Sequence, residues 1–212
     1  METIAVIDYG MGNLHSMAKA VDRVAQGKRV FVSYDLDEIR KADRIIFPGV
    51  GGMGHCMDEI RRMGLDQLLA EVNGNKPLLG VCVGMQSMMQ HSEETGGTEG
   101  LGLFEGTVSK IPSGQMLDGE KVKVPHMGWN VVEQRIDHAL WEGIGDKERF
   151  YFVHSYRVKP TDPSIIAGVS HYPDEFCCAI AAPNLFAVQF HPEKSAQAGL
   201  QLLSNFCSWK GD

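Results

Sequence analysis

The sequence has no cluster of lysine and arginine, and with 27 acidic against 20 basic residues its formal charge is −7. Neutralising phosphates needs concentrated basic side chains, so a nucleic-acid partner is not expected. No run of about 18 apolar residues is present, and the opening METIAVIDYG has neither a basic n-region nor a long apolar core. The expectation is a cytoplasmic protein, with no membrane contact, that meets small molecules or other proteins. Five cysteines, Cys56, Cys82, Cys177, Cys178 and Cys207, occur without a CxxC pair. That odd set fits neither a disulfide framework nor a zinc ribbon, so free thiols and no metal are expected. Repeats, low-complexity tracts and Pro/Ser-rich linkers are missing as well, which leaves no mark of a domain boundary.

What is present suits a folded domain. A hydrophobic content of 43% with 22% charged residues is far from the composition of a disordered chain. Short apolar runs alternate with amphipathic stretches in the first half. TIAVIDY is followed by Leu14, Met17, Ala18, Val21 and Val24 at helical spacing, then by RVFVSY, RIIFPGV and PLLGVCV. This is βαβ periodicity, and continuous apolar runs such as Arg44 to Phe47 read as strands covered on both faces. The second half carries closely spaced strand-like runs, WNVVEQ, RFYFVHSY, IIAGVSHY, FCCAIAA and LFAVQF, and ends in a helix from about Ser195 to Trp209. Residues 92–121 read as loop around a short strand, TVSKI. The predicted fold is one α/β domain over residues 1–212: a doubly wound, mostly parallel sheet flanked by helices, with additional antiparallel strands in the second half.

GVCVG, residues 80–84, sets Cys82 between two glycines after a buried strand and before the helix-like MQSMMQ. That is the nucleophile-elbow pattern with cysteine in place of serine. A helix N-terminus beyond the turn would favour a thiolate, and the Val83 N–H would point at a developing oxyanion. As an isolated pattern GxCxG is equally a buried cysteine beside a turn. The later segment QFHPEKS tips the balance: in an extended segment His191 and Glu193 project to one side, so a carboxylate can hold the imidazole that activates the thiol. His55 beside Cys56 is a competing pair, without a strand before it or a glycine two positions after. The glycine-rich PGVGGMG at 48–54 lacks the GK[ST] of a phosphate-binding loop. On the sheet edge that holds Cys82, its exposed amides at Val50 and Gly51 suit an oxyanion hole.

PGVG at 48–51, GVCVGMQ at 80–86 and HPE at 191–193 resemble the class I (triad) glutamine amidotransferases over nearly the whole chain. DYGMGN at 8–13, PHMGWN at 125–130, YFVHSY at 151–156 and QFHPEKS at 189–195 resemble, more narrowly, the glutaminase subunit of imidazole glycerol phosphate synthase. The resemblance implies a Cys82–His191–Glu193 triad, an oxyanion hole from Val83 and the Val50/Gly51 peptide, and glutamine held by Gly51, Gln86, Ser155 and Tyr156. It implies no cofactor. It also implies a separate (β/α)8 cyclase subunit, docked at Asn13, Met127, Trp129, Tyr151 and Lys194, that raises a low basal activity as the Val50/Gly51 peptide turns. The acceptor would be a phosphoribulosyl formimino carboxamide ribotide, in histidine biosynthesis. Read without the resemblance, Trp129 and Tyr151 are core aromatics and Lys194 a solvated charge. Three rivals stand beside this reading: a subunit of another class I amidotransferase, a non-catalytic module of the same fold, and a cysteine peptidase of related fold.

Overall fold

The computed structural model describes residues 1–117 and 119–211. Up to Cys82 the chain alternates strand and helix: β1 (Thr3–Ile7), α1 (Leu14–Val24), β2 (Arg29–Ser33), α2 (Leu36–Lys41), β3 (Arg44–Gly49), α3 (Met53–Arg62), α4 (Leu65–Val72) and β4 (Leu78–Cys82). Each helix follows from the spacing of its apolar residues. On α1 the positions Met17 and Val21 lie one turn apart and are buried, while Lys19 and Asp22 face solvent. Asp35 caps α2 by accepting from the amides of Asp37 and Glu38 at 2.8 and 3.1 Å. Strands β3 and β4 are buried at every position, as their unbroken apolar runs predict.

After a single turn of helix, α5 (Val83–Gln86), the character changes to β5 (Met89–Ser92), β6 (Thr98–Glu99), β7 (Phe104–Lys110) and a two-residue ladder of β8 (Met116–Leu117) with β9 (Glu120–Lys121). Then come β10 (His126–Gln134), β11 (Glu148–His154), β12 (Tyr156–Pro160), β13 (Ile166–His171), β14 (Glu175–Ala182), β15 (Leu185–Val188) and the closing helix α6 (Ala196–Ser208). Two sequence expectations change here. MQSMMQ is not a helix beyond Gln86, because Met89–Ser92 leaves to pair with β7 and β6. The stretch read as loop around TVSKI carries β6 and the seven-residue β7, whose residues Gly106–Lys110 pair with β12.

One sheet runs in the order β2-β1-β3-β4-β15-β14-β12-β7-β5-β6, with β13, β10 and β11 branching from β14. The first five strands in that order are parallel, and β15 turns antiparallel onto β14. Helices flank the sheet, α1 packed on α6 and α4 on α2 and α3. Among the described residues no helix is long and apolar enough to cross a membrane. Because β3, β4 and β15 are adjacent and parallel, their C-terminal ends open on one edge, where open α/β sheets bind ligands.

Candidate active site

Three strand ends build the site. Gly49 at the end of β3 lies opposite Cys82 at the end of β4, so PGVG and the cysteine share one edge. On the other side Val188 of β15 lies opposite Val81, and the chain continues through Gln189 and Phe190 to His191. Cys82 takes the strained backbone conformation of an elbow, φ 55° and ψ −112°, which a side chain other than glycine rarely adopts. Val83 follows as the first residue of α5, so helix geometry leaves its N–H without a carbonyl partner. With only four residues α5 supplies little dipole, so what can stabilise a thiolate here is the side chains around it.

His191 is 2% exposed and its Nδ1 meets Glu193 Oε1 at 3.0 Å. The contact arises differently from the extended segment expected: His191 is extended, but Pro192–Lys194 closes a 3₁₀ turn that folds the carboxylate back onto the ring. The turn is tied to β11, since the His191 N–H donates to the Tyr151 carbonyl at 2.9 Å and the Tyr151 N–H donates to Ser195 Oγ at 2.9 Å. Burial alone would lower the imidazole. The Cys82 thiol and the Glu193 carboxylate outweigh it and raise His191 to about 10. His191 and Cys82 line one cavity.

A raised histidine has a stability signature. The fold holds a proton on His191 that the unfolded chain releases near its ordinary value of about 6.5. That contribution is fully present below about pH 6.5 and is lost as pH climbs through about 10. Glu193→Gln removes one raising group. Denaturant titrations at pH 7 and pH 10.5 should therefore show a smaller alkaline loss of stability in the variant than in the wild type.

The cavity, about 290 Å³, is lined by Val50, Gly51, Cys82, Val83, Gln86, Ser155, Tyr156 and His191 among others, so the residues singled out for oxyanion and substrate contacts meet in one place. Its volume suits a small molecule. The Val50 carbonyl accepts from Cys56 Sγ at 3.6 Å. Both amide hydrogens of Gln86 are used, one on the Tyr156 carbonyl at 3.0 Å and one on Gln189 Oε1 at 2.9 Å, so its side-chain oxygen remains to meet a ligand. Gln189 in turn donates to Cys82 Sγ at 3.6 Å. Gln189, His154 and Glu94 are site residues that the sequence did not single out, although Gln189 and His154 lie inside quoted motifs.

Cys56 lacks the elbow geometry of Cys82. It sits inside α3, and burial pushes its thiol up to about 11. Burial likewise raises Cys177 to about 12, Cys207 to about 11 and Cys178 well above the ordinary thiol range. The glycines at 49, 51 and 54 match GxGxxG, so spacing alone does not exclude a dinucleotide. Geometry argues against it, because Glu94 Oε2 accepts from the Met53 amide at 2.8 Å and sets a carboxylate at the helix N-terminus where a pyrophosphate would lie.

Of the proposed docking residues, Asn13 and Lys194 are exposed, Met127 and Trp129 are 62% and 45% exposed, and Tyr151 is half-buried. Trp129 is thus no core aromatic. It stands opposite Tyr151 across β10 and β11, the rings edge-on at 6.1 Å, and α1, which follows Asn13, touches the turn that carries Lys194.

The family model described as glutamine amidotransferase class-I matches residues 5–208. An imidazole glycerol phosphate synthase subunit HisH from Pseudomonas putida is 54% identical over 211 residues, covering 100% of this chain and 99% of that one. The HisH subunit from Thiobacillus denitrificans is 55% identical over 208 residues, covering 97% of this chain and 91% of that one. Among solved structures, PurLQS from Thermotoga maritima superposes with a TM-score of 0.73 at 15% identity, covering 98% of each chain, a likeness of fold.

Proposed function

Since the chain belongs to the class I glutamine amidotransferase family, we propose that residues 1–212 act as one glutaminase domain with Cys82 as nucleophile, His191 as acid and base, and Glu193 as the group that orients His191. The chain is the glutamine-hydrolysing subunit of imidazole glycerol phosphate synthase, working in histidine biosynthesis beside a cyclase subunit. Full-length identity above one half to subunits of that name carries this conclusion.

The site suggests how the reaction runs. The Cys82 thiolate attacks the side-chain amide carbon of glutamine, forming a C–S bond and an oxyanion. Val83 N–H and an amide of the Val50/Gly51 peptide take that charge, each donor being worth roughly 10²- to 10³-fold in rate. His191, protonated across the neutral range, gives its proton to the departing nitrogen, and ammonia leaves. His191 then takes a proton from water, which cleaves the thioester and frees glutamate. Gly51, Gln86, Ser155 and Tyr156 hold the substrate, and Glu94 supplies a carboxylate to the cavity for the amino group of an amino acid.

Ammonia passes to a (β/α)8 cyclase docked over Asn13, Met127, Trp129, Tyr151 and Lys194, in a cytoplasmic heterodimer. Aromatic residues exposed beside a catalytic turn suit an interface anchor. Glutamate release measured with and without the cyclase subunit tests this reading. Strong stimulation by the cyclase and its ligand is expected; equal rates in both would overturn the partner-dependent part.

A further inference from the structure

At the wall of the cavity, which His154 helps to line, is a pair of histidines that the proposed triad does not use. His126 and His154 stand opposite one another on β10 and β11, 4% and 5% exposed, with His126 Nδ1 at 2.9 Å from His154 Nε2. His154 Nδ1 lies 2.8 Å from the Tyr156 carbonyl. A carbonyl can only accept, so that nitrogen carries the hydrogen. A neutral imidazole has one N–H, which leaves Nε2 of His154 as an acceptor and makes His126 Nδ1 its donor. His126 Nε2 is then bare, and Asn130 Nδ2 approaches it at 3.3 Å. The other hydrogen of that amide goes to the His171 carbonyl at 2.9 Å, and Asn130 Oδ1 accepts from the Val131 N–H at 2.8 Å. One proton order satisfies every group, with both rings protonated at Nδ1.

The surroundings keep both rings neutral. Burial pushes His126 down to about 3, aided by His154, and His154 down to about 4 against the opposing pull of the Tyr156 carbonyl. Tyr172 stacks on His126 with ring centroids 3.9 Å apart and planes 17° from parallel. The downstream end of the chain is the site itself. The Tyr156 carbonyl that takes the His154 N–H also takes Gln86, which holds Gln189, which donates to Cys82 Sγ.

We propose that His126 and His154, ordered by Asn130, are positioning residues of the glutaminase site that fix the Tyr156 carbonyl and, through Gln86 and Gln189, the setting of Cys82. The inference rests on the glutaminase reading of the cavity. It gives the histidines of PHMGWN and YFVHSY a task, and His126 lies on the strand, β10, whose other face presents Met127 and Trp129.

Two measurements test it. In ¹⁵N-histidine NMR spectra of the free full-length chain, two of the eight imidazoles should be neutral from pH 5 to pH 9, both protonated at Nδ1, with a scalar coupling across the His126–His154 hydrogen bond. Either ring protonated at Nε2, or turning cationic near pH 6.5, would overturn the proton order. In the complex with the cyclase subunit, His126→Phe keeps a stacking ring without the N–H. It should raise KM for glutamine about ten-fold, the effect of one buried hydrogen bond, and His126→Asn, whose amide nitrogen can donate from the Nδ1 position, should recover most of it. A merely structural role would scale kcat by the inactive fraction and leave KM unchanged, and that result overturns the proposal. A wild-type complex that releases no glutamate would instead overturn the glutaminase reading, and this inference with it.

Discussion

Replacing Cys82 with alanine should lower glutamate release by the complex with the cyclase subunit on the order of 10⁴-fold or more, since no other group can form the thioester. The strained elbow, the Gln189 contact and the shared cavity with His191 single out this thiol among five. Cys56→Ser is the matched control, because serine keeps a donor for the Val50 carbonyl and should retain most of the activity. Supplying ammonium salts to the Cys82→Ala complex should restore product formation by the cyclase, whose chemistry lies in the other subunit. Wild-type glutamate release from Cys82→Ala would sink the triad assignment outright.

The parallel half of the sheet was legible because each element there is specified locally. Apolar runs of five or six residues become β1, β3 and β4, and α1 declares itself through Met17 and Val21. The candidate triad has a similar origin: elbow glycines and a histidine two residues from a glutamate leave short-range marks. What escaped depends on pairing between distant segments. Met88 and Met89 are buried whether the chain continues as helix or turns to strand, and the partner that decides, Phe104 on β7, lies outside any local window. Glu94 joins the site by reaching across to the first turn of α3. His126 and His154 are 28 residues apart and become a pair only through the β10–β11 register, so no spacing rule announces them. Gln189 looks like an ordinary strand-end residue until β15 is laid against β4.

The elbow also predicts a large effect away from any reacting group. Gly84 packs with its Cα against β3, and a Cβ there would be driven into the Phe47 carbonyl oxygen, with the carbonyl carbon at 3.1 Å. Nothing flexible can yield, because Phe47 is itself paired in register with Gly80 of β4. Relief requires α5 to lift off the sheet, carrying the Val83 amide and the Cys82 backbone with it. Overpacking of this kind costs about 1–3 kcal/mol, and displacing a reacting group by about 1 Å costs on the order of 10²-fold in rate. Gly84→Ala should therefore lower the urea midpoint and cut glutamate release by about 100-fold even in the fraction that folds. Gly80→Ala gives the contrast. Its Cβ would meet Met88 Cε at 2.8 Å, a side-chain end that can swing aside, and the Ala187 Cβ at 2.9 Å, which is fixed in register with Gly80 but overlaps far less than the Phe47 carbonyl oxygen does at Gly84. Its losses should be smaller on both measures. If Gly84→Ala kept wild-type glutaminase activity, the tight seat of α5 on β3 would not be what holds the nucleophile in place.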